Sequence, residues 1–124
     1  MRLLLDTHVV LWWRQNSRQL TRDATELIAT AEAAYVSAAS AWEVIIKTAL
    51  GRLALADPFE RHVTAAGFEP LAITFAHAAE VGRLPALHAD PFDRMLVAQA
   101  RVEGLTLVTH DVMLARYDVR TILV

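Results

Sequence analysis

Short apolar runs alternate along this chain with longer stretches whose apolar residues recur at helical spacing. Arg2 to Leu5 predicts a strand that ends at Asp6, and Thr7 to Arg14 predicts a helix with Val9, Val10, Trp12 and Trp13 apolar. Thr21 is placed to cap a second helix through about Ala31, with Ala24, Leu27, Ile28 and Ala31 on one face. Tyr35 and Val36 predict a short strand. Ser37 to Ser40 lead into a helix through Leu50, which Gly51 closes. Asp57-Pro58-Phe59-Glu60 joins a cap, a proline at the first helical position and an acid in the first turn, so a helix is expected from there to about Gly67. Phe68 to Ile73, broken by Pro70, is a weak strand or an extended connector, and Thr74 is expected to cap a helix that Gly82 ends.

The stretch from His88 to Asp111 carries the most information. Asp90-Pro91 reads as a helix cap followed by proline at the first helical position, which puts Asp93 in the first turn. Gly104 is placed to end that helix, and Leu105 to Val108 form the continuous apolar run of a strand buried on both faces. Thr121 to Val124 predicts a last short strand. Strands alternating with helices predict an α/β domain with a mostly parallel sheet and right-handed crossovers. Residues 1–124 read as a single domain, since no linker, repeat or low-complexity tract interrupts them.

Composition narrows the class further. Apolar residues make up 55% of the chain, which excludes disorder, and no apolar run is long enough to cross a membrane. The first residues turn acidic too soon for a signal peptide, so the expected location is the cytoplasm. There is no cysteine, which excludes thiolate metal sites and disulfide scaffolds. A formal net charge of −2 provides no global field for nucleic acid, so any such contact must be local. Lys47 is the only lysine.

The acids carry the candidate chemistry. Asp6 ends the first strand and Asp111 follows a later one, so in a parallel sheet both emerge on one edge. Asp93, at a helix start, faces the same edge, and Glu43 sits early in the helix after the Tyr35–Val36 strand. Each has an ordinary alternative. Asp93 suits a helix dipole, Asp90 is a cap, Ser40-x-x-Glu43 fits a capping box, and Asp111 suits the start of a short helix at Val112–Ala115. Asp6, directly after Leu3-Leu4-Leu5, has little structural reason to be there. Four carboxylates on one edge repel one another unless a divalent cation joins them, and oxygen ligands favour Mg²⁺ or Mn²⁺ over Zn²⁺. A metal-bound water can attack phosphorus, which points to phosphodiester or phosphoryl hydrolysis. Around the acids, Thr109 and Thr7 are candidates for hydrogen bonds to a metal water or a ligand, and Arg94 for a phosphate contact. His8, His88 and His110 match no zinc spacing and read as local hydrogen-bonding or substrate-contact residues. Lys47, one turn after Glu43, reads as an i,i+4 pair. Trp12, Trp13 and Trp42 can stack bases, but their helical spacing beside Val and Ile fits a core or an interface better. A patch around Trp12, Trp13 and the helix from Thr21 is the expected partner surface.

Together, LLLDTHVVLWW, SAASAWEVIIKTALGRLAL, HADPFDRMLVAQA and LTLVTHD, in that order, resemble the PIN-domain family, and within it the VapC-like toxins of bacterial toxin–antitoxin pairs. The match spans Leu3 to Asp111. It implies a single PIN domain with a three-layer α/β/α architecture. The family's acids fall on Asp6, Glu43, Asp93 and Asp111, with Thr109 at its frequent Ser/Thr position and Asp90 as an extra rim acid of the DPFDR variant. The resemblance implies a Mg²⁺- or Mn²⁺-dependent endoribonuclease in which Asp6, Asp93 and Asp111 hold metal and Glu43 completes the shell or orients the attacking water. It also implies an RNA substrate, a cognate antitoxin that blocks the site, and a homodimer.

Two Mg²⁺-binding alternatives fit less well. A receiver-type phosphoacceptor wants paired acids after the first strand and a lysine after the last core strand; here Thr7 and His8 follow Asp6, and no lysine follows Lys47. A haloacid-dehalogenase-like phosphatase wants an acid at position 8. A non-catalytic PIN-like binding module is a third alternative, against which the intact acids argue.

Overall fold

The computed structural model describes residues 1–124. Its elements run β1 (Arg2–Leu5), α1 (Thr7–Arg14), α2 (Arg22–Thr30), β2 (Ala33–Ser37), α3 (Ala38–Ala49), α4 (Phe59–Ala65), β3 (Glu69–Leu71), α5 (Phe75–Arg83), α6 (Pro91–Glu103), β4 (Thr106–Thr109), a short 3₁₀ turn (Leu114–Arg116) and β5 (Thr121–Leu123). The sheet has the order β3-β2-β1-β4-β5, and every pairing is parallel. Because β1 is central, its neighbours β2 and β4 are reached by windings in opposite directions. The gap between the β1 and β4 carboxyl ends is therefore the topological switch point, where ligands bind in such sheets.

The strands are apolar on both faces because helices cover both faces. Leu3 and Leu5 point into one core with Val9, Ile28, Val44 and Val63, while Leu4 points into the other with Leu96, Val97, Leu107 and Leu114. This is the three-layer α/β/α arrangement, and no helix is long and apolar enough to cross a membrane.

Several local signals resolve differently from the sequence reading. Ser37, not Ser40, caps α3 by accepting from the Ala39 N–H, so Glu43 belongs to no capping box. Pro58 occupies the cap position of α4 without a side-chain bond, so Asp57 does not cap that helix. Gly82 lies inside α5, which runs on to Arg83, since that helix packs against α6 and tertiary burial outweighs one glycine. Gly104 does end α6 as expected, in the left-handed conformation at φ 67°. Trp12 and Trp13 pack against the first core, so they do not form the exposed patch expected of them. Trp42 and Ile45 on α3, with Ile73 and Phe75 before and at the start of α5, are among the exposed large apolar residues instead.

Candidate active site

Asp6 occupies the cap position of α1, yet its side chain makes no cap bond. It faces the cleft at the switch point and is 5% exposed. Thr109, the last residue of β4, donates its hydroxyl to Asp6 Oδ2 at 2.6 Å and accepts the Asp111 N–H at 3.0 Å. Thr109 therefore positions the two strand-end acids and is itself fully buried, in place of the metal-water contact considered for it. Thr7, next to Asp6 in the chain, does the same for Glu43. Its hydroxyl lies 2.7 Å from Glu43 Oε1 and 2.8 Å from Ser40 Oγ, so it donates to the carboxylate and accepts from the serine. Glu43 Oε2 pairs with Lys47 Nζ at 2.9 Å, which makes that i,i+4 pair a feature of the cleft.

Asp90 is the cap of α6, accepting the N–H groups of Phe92 at 2.8 Å and Asp93 at 3.3 Å, and it also lines the cleft. Asp93 follows in the first turn. His88, two residues before the cap, sits between Asp93 and Asp111. Its Nδ1 accepts from the Asp90 N–H, so Nε2 carries the hydrogen and faces Asp93 Oδ2 at 3.0 Å and Asp111 Oδ2 at 3.1 Å. Asp111 also closes a turn by accepting the Met113 N–H at 2.9 Å.

Asp6, Glu43, Asp90, Asp93 and Asp111 thus line one cleft of about 600 Å³, with Lys47, His8, Trp12, His110 and Val112. Arg94 is not among them. Its guanidinium donates to the carbonyls of Pro85, Val81 and Leu84 and to the Tyr117 hydroxyl, strapping the loop between α5 and α6 outside the acidic lining of the cleft. The sequence reading missed the bridging place of His88, for which its position two residues before the cap was the available signal.

Charge crowding leaves its mark on the titrations. Asp93 is raised to about 7, first by burial and then by the charges of Asp6 and Asp90, with His88 opposing. Asp6 is also raised, mainly by burial, while the Thr109 hydrogen bond works against the shift. Carboxyls forced upward by one another are relieved by a cation among them. One ligand atom from each of His88, Asp93 and Asp111 falls within 4.8 Å of the others. The oxygen-rich, thiol-free donor set therefore fits a hard divalent ion.

Comparison with known proteins identifies the family. The PIN domain family model matches residues 3–120. Ribonuclease VapC22 of Mycobacterium tuberculosis is 32% identical over 117 residues, covering 88% of this chain and 86% of that protein. Among solved structures, VapBC2 from Rickettsia felis bound to a DNA fragment from their promoter has a TM-score of 0.76 at 15% identity, covering 99% of this chain and 98% of that one. A toxin–antitoxin complex from Klebsiella pneumoniae has a TM-score of 0.60 at 19% identity, covering 88% and 86%. At these identities the solved structures speak for the fold.

Proposed function

We propose, for a chain that belongs to the PIN-domain family, a divalent-metal-dependent endoribonuclease that hydrolyses RNA phosphodiesters as the toxin of a toxin–antitoxin pair. The observation that carries this reading is the convergence of Asp6, Glu43, Asp93 and Asp111 on one cleft at the sheet's switch point. Asp6, Asp93 and Asp111 are the residues that would hold Mg²⁺ or Mn²⁺. Bound there, the ion supplies a water of lowered pKa and a Lewis acid for the leaving oxygen.

The remaining work belongs to the chain's own groups. Thr109 fixes the Asp6 carboxylate and, through the Asp111 amide, the turn that presents Asp111. Thr7 fixes Glu43 so that one oxygen faces Lys47, bringing an ammonium group into a cleft otherwise dominated by carboxylates. In this reading Glu43 orients the attacking water and Lys47 balances phosphate charge. Asp90 keeps its capping role at the rim.

The relative named Ribonuclease VapC22 supports RNA as the substrate, and the toxin–antitoxin neighbours support an antitoxin as the partner that blocks the site. A homodimer is the fitting assembly. Trp42, 59% exposed, lines an apolar groove with Ile73, Phe92 and Met95 between α3, α5 and α6.

The test is induction of the chain in a bacterial host, with sequencing of newly formed RNA ends and Asp93→Asn as the control. New ends at a few sites with growth arrest, both absent in the variant, are expected. An RNA profile identical in wild type and variant, with the protein folded and binding Mn²⁺, overturns the reading.

A further inference from the structure

The acids explain how a phosphodiester is cut but not how RNA is held beside them. The cleft lining contains five carboxylates, and Lys47, already paired with Glu43, is its only Lys or Arg. Arg94 is committed to backbone carbonyls. Phosphate contacts therefore contribute little affinity here beyond what a bound metal provides, and the strand needs another source of attraction.

One lip of the cleft offers it. His8 and Trp12, one helical turn apart on α1, have ring centroids 6.0 Å apart at 41°. His110, just after β4, meets Trp12 edge-to-face at 5.3 Å and 75°. His8 and His110 are exposed, Trp12 is half-buried, and all three line the acidic cleft. The platform is preorganised: Trp12 packs against the core under α1, and His110 Nδ1 donates to the Val124 carbonyl at 2.5 Å. Fixed flat rings bind without a large ordering cost. Neither other tryptophan is placed this way. Trp13 packs on Phe68, and Trp42 packs edge-on against Phe92 in the separate apolar groove.

We propose that His8, Trp12 and His110 form a nucleobase-stacking subsite that seats an unpaired base next to the scissile phosphate. Trp12 supplies the stacking face, and the two imidazoles supply ring edges and hydrogen-bonding nitrogens for the base or its sugar. Stacking needs a splayed base, so the subsite selects single-stranded RNA or a loop over duplex. This inference rests on the ribonuclease reading and deepens it.

The experiment measures binding of a fluorescein-labelled single-stranded RNA of randomised sequence to the Asp93→Asn chain in Mg²⁺ by anisotropy. Trp12→Leu keeps the bulk and removes the ring, and its Kd is expected to rise roughly tenfold. Trp12→Phe should restore most of the loss, and binding of a blunt RNA duplex should be unchanged by either. His8→Ala and His110→Ala, at exposed positions, are each expected to weaken single-strand binding by roughly threefold, and they carry the test if Trp12→Leu does not fold. Unchanged Kd in all these variants overturns the subsite, as does an equal loss of single-strand and duplex binding. Those outcomes leave the nuclease reading standing if wild type still cuts RNA. A parent chain that binds no RNA, beside a wild type that cuts none, overturns both.

Discussion

Asp6 and Glu43, in the floor of the cleft, are each held by a threonine hydroxyl, whereas Asp93 and Asp111, at its mouth, are joined through one imidazole. The floor is 5–6% exposed at its two acids, while the Asp111 side chain is 36% exposed. Burial makes an unpaired carboxylate costly, so the floor needs fixed neutral donors that work whether or not an ion is bound. Water reaches Asp111 at the mouth, where one imidazole shared with Asp93 is the exchangeable partner. The floor is therefore fixed by its own donors, while the mouth rests on one shared imidazole.

The largest expected effect concerns what the cation does to the crowded acids, one in each half, whose protons it replaces. Asp6 and Asp93 are both raised in the folded chain, Asp93 to about 7. The ordinary value of an unfolded aspartate is about 3.9. The folded state thus binds more protons than the unfolded state in this window, and metal-free stability falls as pH rises from about 4 to about 7. Bound metal reverses the penalty, because it replaces the protons that the carboxyls otherwise retain. Thermal melts in chelator and in Mn²⁺ across that range should diverge with rising pH. At a hundredfold excess over its Kd, the ion is expected to contribute about 2.7 kcal/mol. Cleavage should disappear in chelator and return with Mn²⁺. Melting temperatures that do not depend on metal at neutral pH would remove the cation from the site.

The next effect separates the two halves directly. Thr109→Val is nearly isosteric but deletes the donor that offsets the burial of Asp6. It is expected to weaken Mn²⁺ binding and cleavage by roughly tenfold to a hundredfold, the usual range for a group that orients a ligand. His88→Ala removes the shared partner but keeps both carboxylates, and Asp111 is open to water, so its loss should stay at the low end, about tenfold. Calorimetric titration of Mn²⁺ into both variants checks the order. A larger loss in His88→Ala would make the imidazole a ligand and the mouth the primary half-site.

The strand-end and helix-start acids were far more legible in the sequence than the side chains that hold them. An acid directly after Leu3-Leu4-Leu5, and another after Leu105 to Val108, stand out because a strand buried on both faces must be apolar until it leaves the sheet. Asp93 was legible because Asp90-Pro91 fixes where α6 begins. The destinations of His88 and Arg94 were not legible. Periodicity tells buried from exposed, but a long polar side chain on a loop or at a helix start is directed by whichever partner lies within reach. That partner is decided by tertiary packing, for Arg94 the Val81 and Leu84 carbonyls at the end of α5. Gly82 misled for the same reason, since contacts with α6 override its local preference.

The smallest effect tests what supports the mouth from behind. Arg94 donates to the carbonyls of Pro85 at 2.9 Å and Val81 at 3.2 Å and to the Tyr117 hydroxyl at 3.2 Å. That hydroxyl also accepts the His88 N–H at 3.0 Å, so the strap reaches the bridging imidazole through Tyr117. Hydrogen bonds from a charged group are worth about 1.5–3 kcal/mol, less where solvent screens them. Arg94→Gln is therefore expected to lower stability by about 1–2 kcal/mol by denaturant titration. Cleavage should fall by no more than about threefold, because the loop keeps its backbone path and only the setting of His88 loosens. A phosphate-binding arginine would behave in the opposite way, leaving stability unchanged and raising KM strongly. The ratio of those two losses in one variant decides whether Arg94 serves the mouth by holding its loop or by touching RNA.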